Sequence, residues 1–227
     1  MGQLSENARS LLATRAAQPA AGANWEAEWK RLTTRLVPVF AAGNRIVAIT
    51  SGQAGEGVTT VAYQLSRRLV EQGRKRVVVV DANLRDPSLH RFLGGTRSPG
   101  LTEFLKGDLH FTQVTQRLPR LHFISAGRGE GDPVHLLESP RFAESLELLA
   151  KDYEVVLVDT PALVAYPETE AILRHVDGCV LVAEADRSRA PAVRAVADRI
   201  RDAGVSLIGA VLNKRSYPIP ERLYRHL

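Results

Sequence analysis

The sequence predicts an α/β fold built on a doubly wound, mostly parallel sheet with helices on both faces. Three observations predict it. Six short apolar runs alternate with helical patterns along the 227 residues. The runs are continuous and rich in β-branched residues, as in strands buried on both faces of a parallel sheet. The first of them opens into a glycine-rich stretch, Ser51-Gly52-Gln53-Ala54-Gly55-Glu56-Gly57-Val58-Thr59-Thr60, which a helical pattern follows.

In chain order, residues 1–24 are rich in Ala, Gln, Gly and Pro and carry little sustained pattern, so they are expected to form a flexible leader. Residues 25–41 are predicted as an N-terminal helix, because Trp29, Leu32 and Leu36 recur at helical spacing. That stripe either packs on the domain or meets a second subunit. Residues 42–227 are predicted to form a single α/β domain with a short C-terminal tail. Its strands are Ile46–Thr50, Val77–Asp81, Leu121–Ser125, Val155–Asp159, Cys179–Ala183 and Leu207–Leu212. The clearest helices between them are Thr59–Gln72, Arg141–Ala150 and Pro191–Ala203, with Gly73 and Gly204 just past two of their ends.

Composition narrows the classes. Apolar residues make up 44% of the chain, enough for a packed core. No apolar run approaches the roughly 20 residues of a membrane span, and no signal-peptide pattern opens the sequence. The single cysteine, Cys179, lies in an apolar strand and is expected to be a buried, inert thiol. These features lead us to expect a cytoplasmic protein. The net charge of +5 is scattered, which fits solvated faces better than a nucleic-acid surface, and no nucleic-acid partner is expected.

The chemistry gathers at three strand ends. A glycine loop opening a helix turns backbone N–H groups inward and adds the positive end of the helix dipole, a combination that receives phosphate. Gly52, Gly57 and Thr59 stand at the spacing of G-x-x-x-x-G-K-[ST], but position 58 is valine where that pattern has lysine. Two further strands end in aspartate, Asp81 in Val77-Val78-Val79-Val80-Asp81 and Asp159 in Val155-Val156-Leu157-Val158-Asp159. Aspartates leaving buried strands are expected to enter the ligand crevice, where they hold Mg²⁺ or orient a reacting hydroxyl. Thr59 would supply a hydroxyl to the same ion. The arrangement is that of a P-loop NTPase-like domain binding ATP or ADP with Mg²⁺.

Several further segments carry a resemblance to a family. Leu84-Arg85-Asp86-Pro87-Ser88-Leu89-His90, Pro99-Gly100-Leu101 running to Leu105-Lys106-Gly107, Ser125-Ala126-Gly127, Asp132-Pro133 running to Leu137-Glu138-Ser139, and Gly209-Ala210-Val211-Leu212-Asn213 are similar to segments of the bacterial tyrosine autokinases (BY-kinases), relatives of the MinD/ParA switches. The resemblance runs from about Trp25 to Leu227. It implies that Gly55, Gly57, Thr59 and Thr60 belong to the Walker A motif, Asp81 and Arg85 to Walker A′, and Asp159 and Pro161 to Walker B. It implies catalytic roles for Asp81 and Asp159, Mg²⁺ ligation by Thr59, Asp81 and Asp159, and nucleotide contacts from Gly52, Gly55, Glu56, Gly57, Val58, Thr59, Thr60 and Arg85. It further implies that Asn213 lies near the adenine.

The departures fall on chemistry. Val58 replaces the lysine, and Asn83 stands where the family has a second Walker A′ aspartate. The N-terminal E-x-x-R-x-x-R oligomerisation motif is incomplete, with Glu28 and Arg31 in place but Thr34 in the third position. The tail holds Tyr217 and Tyr224 in place of a tyrosine cluster, either as aromatic anchors or as phosphorylation sites. We therefore expect a degenerate, pseudokinase-like regulator of exopolysaccharide or capsule biosynthesis. The resemblance implies that its partner is a separate transmembrane polysaccharide co-polymerase, and that it can self-associate through the N-terminal helix. The alternatives are an active tyrosine autokinase with a substitute cation and a MinD/ParA-like positioning ATPase.

Overall fold

A computed structural model describes residues 25–41, 43, 45–73, 76–119 and 121–214. The expected leader and both tail tyrosines, Tyr217 and Tyr224, lie outside the described residues.

The chain runs α1 (Trp25–Ala41), β1 (Ile46–Ser51), α2 (Val58–Glu71), β2 (Val77–Asp81), α3 (Leu89–Leu93), α4 (Leu101–Lys106), α5 (Phe111–Val114), β3 (Thr115–Arg117) and β4 (Leu121–Ile124). It continues through α6 (Pro133–Glu138), α7 (Pro140–Asp152), β5 (Val155–Asp159), α8 (Glu168–Leu173), β6 (Gly178–Glu184), α9 (Ala190–Asp202) and β7 (Ser206–Asn213). Seven strands form one sheet in the order β3-β4-β2-β5-β1-β6-β7. Every pairing is parallel except β3 with β4. The expected doubly wound, mostly parallel sheet is therefore the observed one.

Continuous apolar strands make sense because both faces are covered. Val77 and Val79 of β2, with Val155 and Leu157 of β5, meet Val61, Leu65 and Leu69 of α2 on one face. Their neighbours Val78, Val80, Val156 and Val158 meet Phe142, Leu146 and Leu149 of α7 on the other. A third cluster joins Ala48, Cys179 and Leu181 to Val196 and Ile200 of α9. Burial pushes the Cys179 thiol up to about 12, so at neutral pH it stays protonated and inert, as the sequence leads one to expect.

The N-terminal helix uses its apolar stripe internally. Leu36 and Phe40 are buried in the first cluster, and Trp29 and Leu32 pack against it. Gln72 at the end of α2 donates to the Thr33 hydroxyl at 2.5 Å, and Arg68 pairs with Glu26 at 2.6 Å. Of the incomplete oligomerisation motif, Arg31 is exposed and Thr34 donates to Lys30 O within the helix. The Glu28 side chain lies outside what is described.

Gly73 and Gly204 adopt φ of +93° and +79°, the left-handed region in which helices end. The element absent from the sequence reading is β3. Its three residues, Thr115-Gln116-Arg117, form an antiparallel edge with no apolar run to announce it. The short helices α3 to α6 and α8 were also unannounced, each spanning only four to six residues.

Two sequence segments that looked separate close on each other at the end of β4. Leu101 and Thr102 donate their backbone N–H groups to Ser125 O at 2.7 Å and Ala126 O at 3.0 Å. A Cβ on Gly100 would stand 2.2 Å from Ser125 O and 2.5 Å from Gly127 N, so the close approach requires glycine. The Glu103 carboxylate ties the knot by accepting from Ser98 Oγ, Gly100 N and Arg128 N.

Candidate functional site

The sheet order brings the three strand ends together. β5 lies between β2 and β1, with Asp81 opposite Asp159 and Asp159 opposite Ile49. The loop after β1 therefore rises directly beside both aspartates, at the carboxyl ends where ligands enter open α/β sheets.

The loop is built to stay open. Gly55 and Gly57 take φ of +85° and +95°, and Gly57 precedes the first turn of α2. A Cβ at Gly57 would stand 2.1 Å from Asn213 Nδ2. Asn213 donates that amide to Glu56 O at 2.9 Å, and Lys214 Nζ donates to Gly55 O at 2.6 Å. The end of β7 thus fixes two carbonyls of the loop from outside. Glu184 in turn pairs with Lys214 at 3.1 Å and Arg187 at 3.0 Å, which holds its carboxyl below the usual range.

Beneath the loop mouth lies a cleft of about 250 Å³. Gly55, Gly57, Val58, Thr59 and Thr60 line one side, and Asn83, Arg85, Pro161 and Tyr166 contribute to the rest. Val58 also packs against the main apolar cluster. Gly52 does not line the cleft; a Cβ there would lie 3.1 Å from Val196 Cγ2, so its role is close packing on α9. Asn213 does not line it either; its amide donates to Glu56 O of the loop.

Two expectations need correction. The sequence placed Glu56 among the nucleotide contacts, yet its side chain is 3% exposed and turned into the protein. Its carboxylate accepts from Gln53 N at 2.9 Å and from the Ser188 hydroxyl. It therefore closes the 53–56 turn and anchors it to the loop after β6. The second correction concerns the aspartates, which were expected to emerge into the crevice. Both are fully buried and neither lines the cleft. Asp81 accepts from Asn83 N at 3.3 Å and Leu89 N at 3.1 Å, so the following loop folds back over it.

Burial is the main reason that the Asp81 carboxyl is pushed up to about 7, against the pull of the Leu89 and Asn83 amides. The Asp159 carboxyl lies well above the carboxylate range, first through burial and then through the charge of Asp81. Neither Asp159 oxygen has a hydrogen-bond partner, although the nearby Thr59 hydroxyl favours its charged form. An unpartnered buried carboxylate beside a second one is costly unless a proton or a cation compensates it. The donors here are hard oxygens: two carboxylates and the Thr59 hydroxyl, which itself accepts from Ser88 Oγ at 3.2 Å. That set suits Mg²⁺, which takes one or two carboxylates and completes its shell with water and phosphate oxygens. Among the described residues no group of three or more His, Cys, Asp or Glu is placed to hold a metal.

Sequence reasoning missed the partners that set the side chains of the site. Glu168 receives Arg85, and Tyr166 lies beneath its guanidinium at 5.3 Å from the ring centroid. Glu168 is 83 positions from Arg85, and Ser188 is 132 from Glu56. Neither pairing leaves a local pattern. Asn83 closes a local turn, its Oδ1 accepting from Asp86 N at 3.2 Å, and both residues line the cleft, so the carboxylate on this stretch of wall is that of Asp86.

Fold and site define a P-loop α/β domain of the kind found in bacterial tyrosine kinases. The kinase domain of Escherichia coli tyrosine kinase Etk superposes with a TM-score of 0.75 at 28% identity, over 84% of this chain and 75% of that one. The chain belongs to the family described as cellulose biosynthesis protein BcsQ, whose family model matches residues 45–199. Among relatives, EpsB of Ralstonia nicotianae, a candidate tyrosine-protein kinase, is 33% identical over 173 residues, 75% of this chain and 23% of EpsB. Tyrosine-protein kinase CpsD of Streptococcus agalactiae is 28% identical over 176 residues, 76% of this chain and 75% of CpsD. The chain therefore spans about a quarter of EpsB and three quarters of CpsD. No described helix is long and apolar enough to cross a membrane.

Proposed function

We propose that the chain is a cytoplasmic P-loop regulator of exopolysaccharide or capsule biosynthesis, which binds ATP or ADP with Mg²⁺ weakly and transfers phosphate poorly. The observation that carries this reading is Val58. The loop, the hydroxyl and both aspartates are assembled, but the side chain at the lysine position is a valine packed against the core. Phosphoryl transfer depends on positioning and on neutralising charge at the γ-phosphate, and loss of a cation there slows it by about 10³-fold or more. The family description names one polysaccharide, cellulose, which supports the pathway. The proposed partner is a transmembrane polysaccharide co-polymerase, which the regulator would join at the inner face of the membrane.

The test is incubation of the purified protein with Mg-ATP followed by a phosphotyrosine blot. Little or no labelling is expected. Robust labelling that disappears in Asp159→Asn would overturn the pseudokinase reading and establish an active tyrosine kinase in its place. One observation favours that second reading, the presence of Arg85 in the cleft wall. Co-purification of the co-polymerase with the tagged protein tests the partner.

A further inference from the structure

Arg85 is the only lysine or arginine among the described residues that line the cleft. Its position is set from two sides. Nε and Nη2 donate to the two oxygens of Glu168, the second at 3.3 Å, and the guanidinium lies over the Tyr166 ring. Glu168 is 1% exposed, whereas the Arg85 side chain is 40% exposed. A buried carboxylate thus grips the rear of the guanidinium and leaves its outer edge open to the cleft. A guanidinium carries five N–H donors in a fixed planar fork, so roughly three remain after two are given to Glu168. Such an edge fits phosphate oxygens without any need to break the existing pair.

We propose that Arg85, aimed by Glu168 and Tyr166, supplies the cation that meets the terminal phosphates of a nucleotide seated on the 55–60 loop. It thereby takes up, from the loop after β2, the charge that Val58 cannot provide. Glu168 is a positioning residue with a second effect: its negative charge offsets part of the attraction that Arg85 exerts on phosphate. The inference rests on the reading of the cleft as a nucleotide site.

The test is calorimetric titration of the whole protein with Mg-ATP and with AMP, for the unmodified chain, Arg85→Gln, Glu168→Gln and the double variant. Arg85→Gln is expected to weaken Mg-ATP by about 10–100-fold, the range of one charge-assisted contact, while AMP changes little. Glu168→Gln is expected to hold or raise Mg-ATP affinity, because it lifts an opposing charge. A merely structural ion pair would make both single variants lose affinity together. Arg85→Gln alone leaves Glu168 buried and uncompensated, so a fall in its thermal midpoint is expected. The double variant, which removes both charges, recovers the midpoint but not the affinity.

Equal Mg-ATP affinity in the unmodified chain and the double variant overturns the proposal while leaving the nucleotide site intact. No binding of either nucleotide by the unmodified chain overturns the site reading, and the proposal with it.

Discussion

Val58→Lys restores the ammonium to the loop, and its two consequences have opposite signs. Val58 is the first residue of α2, half-buried, with one side against the main apolar cluster and the other on the cleft. Without ligand the change is unfavourable. Losing part of a half-buried valine's packing costs about 0.5–1 kcal/mol, softened by the methylene stem of lysine. A cation at a helix N-terminus adds about 0.3–1 kcal/mol. For a domain of this size, a total near 1–2 kcal/mol lowers the thermal midpoint by about 2–8 °C. With Mg-ATP the sign reverses. Two unit charges 4 Å apart attract by about 4 kcal/mol at an effective dielectric near 20. Desolvation and ordering of the lysine reduce this to the range of a charged hydrogen bond, about 1.5–3 kcal/mol. The dissociation constant should fall by about 10–100-fold. Calorimetry gives the affinity, and melting with and without Mg-ATP gives both signs in one experiment. The gain should be larger in an Arg85→Gln background, because two cations facing one phosphate group are not additive. A lower midpoint without ligand, together with unchanged affinity in both backgrounds, would refute the placement of phosphate at the 57–60 amides.

Three other outcomes follow from the same structure. Asp159→Asn removes the unpartnered member of two adjacent buried carboxylates, and should raise the midpoint of the ligand-free protein. The gain is about 1–3 kcal/mol, with loss of any Mg²⁺ dependence in nucleotide binding, and a lower midpoint would contradict it. Gly100→Ala forces a methyl to within 2.2 Å of Ser125 O, a backbone atom that can yield only by opening the knot at β4. Urea unfolding should show a loss of about 3 kcal/mol, and an unchanged midpoint would show that the knot is loose. For Glu103, burial alone would raise the carboxyl, but the Gly100 and Arg128 amides and the Ser98 hydroxyl outweigh it and hold it below its ordinary 4.5. Its stabilising contribution is therefore complete above that value and is lost as pH falls through the lower, folded-state value. Acid unfolding of Glu103→Gln should lack this part of the pH dependence, and identical acid limbs would disprove it.

The sheet was legible because it is buried on both faces. Under that condition strands such as Val77–Asp81 and Val155–Asp159 become unbroken apolar runs that end abruptly at a polar group, and both matched to the residue. Helix α2 was legible from the glycines at both of its ends. Strand β3 was not, because an edge strand of Thr, Gln and Arg buries little and is held by pairing with β4, a non-local cause. The Pro99–Leu101 and Ser125–Gly127 segments were each visible. Their contact was not, since the reason for Gly100 is a backbone oxygen 25 positions away.

The same division explains the site. Motif spacing located the backbone parts of it, which depend on local conformation: the loop, the first turn of α2 and the two strand ends. What each side chain does there is decided by partners that come from elsewhere in the chain. Glu56 lies within the loop yet serves Gln53 and Ser188, and Asp81 ends a strand yet is roofed over by its own following loop. Arg85 looked like one more motif position until Glu168 and Tyr166 gave it a direction. The lysine's absence is therefore a statement about one wall of the cleft. Whether the site lacks a cation is decided at the loop after β2, where a guanidinium held by a buried carboxylate remains 40% exposed beside the cleft.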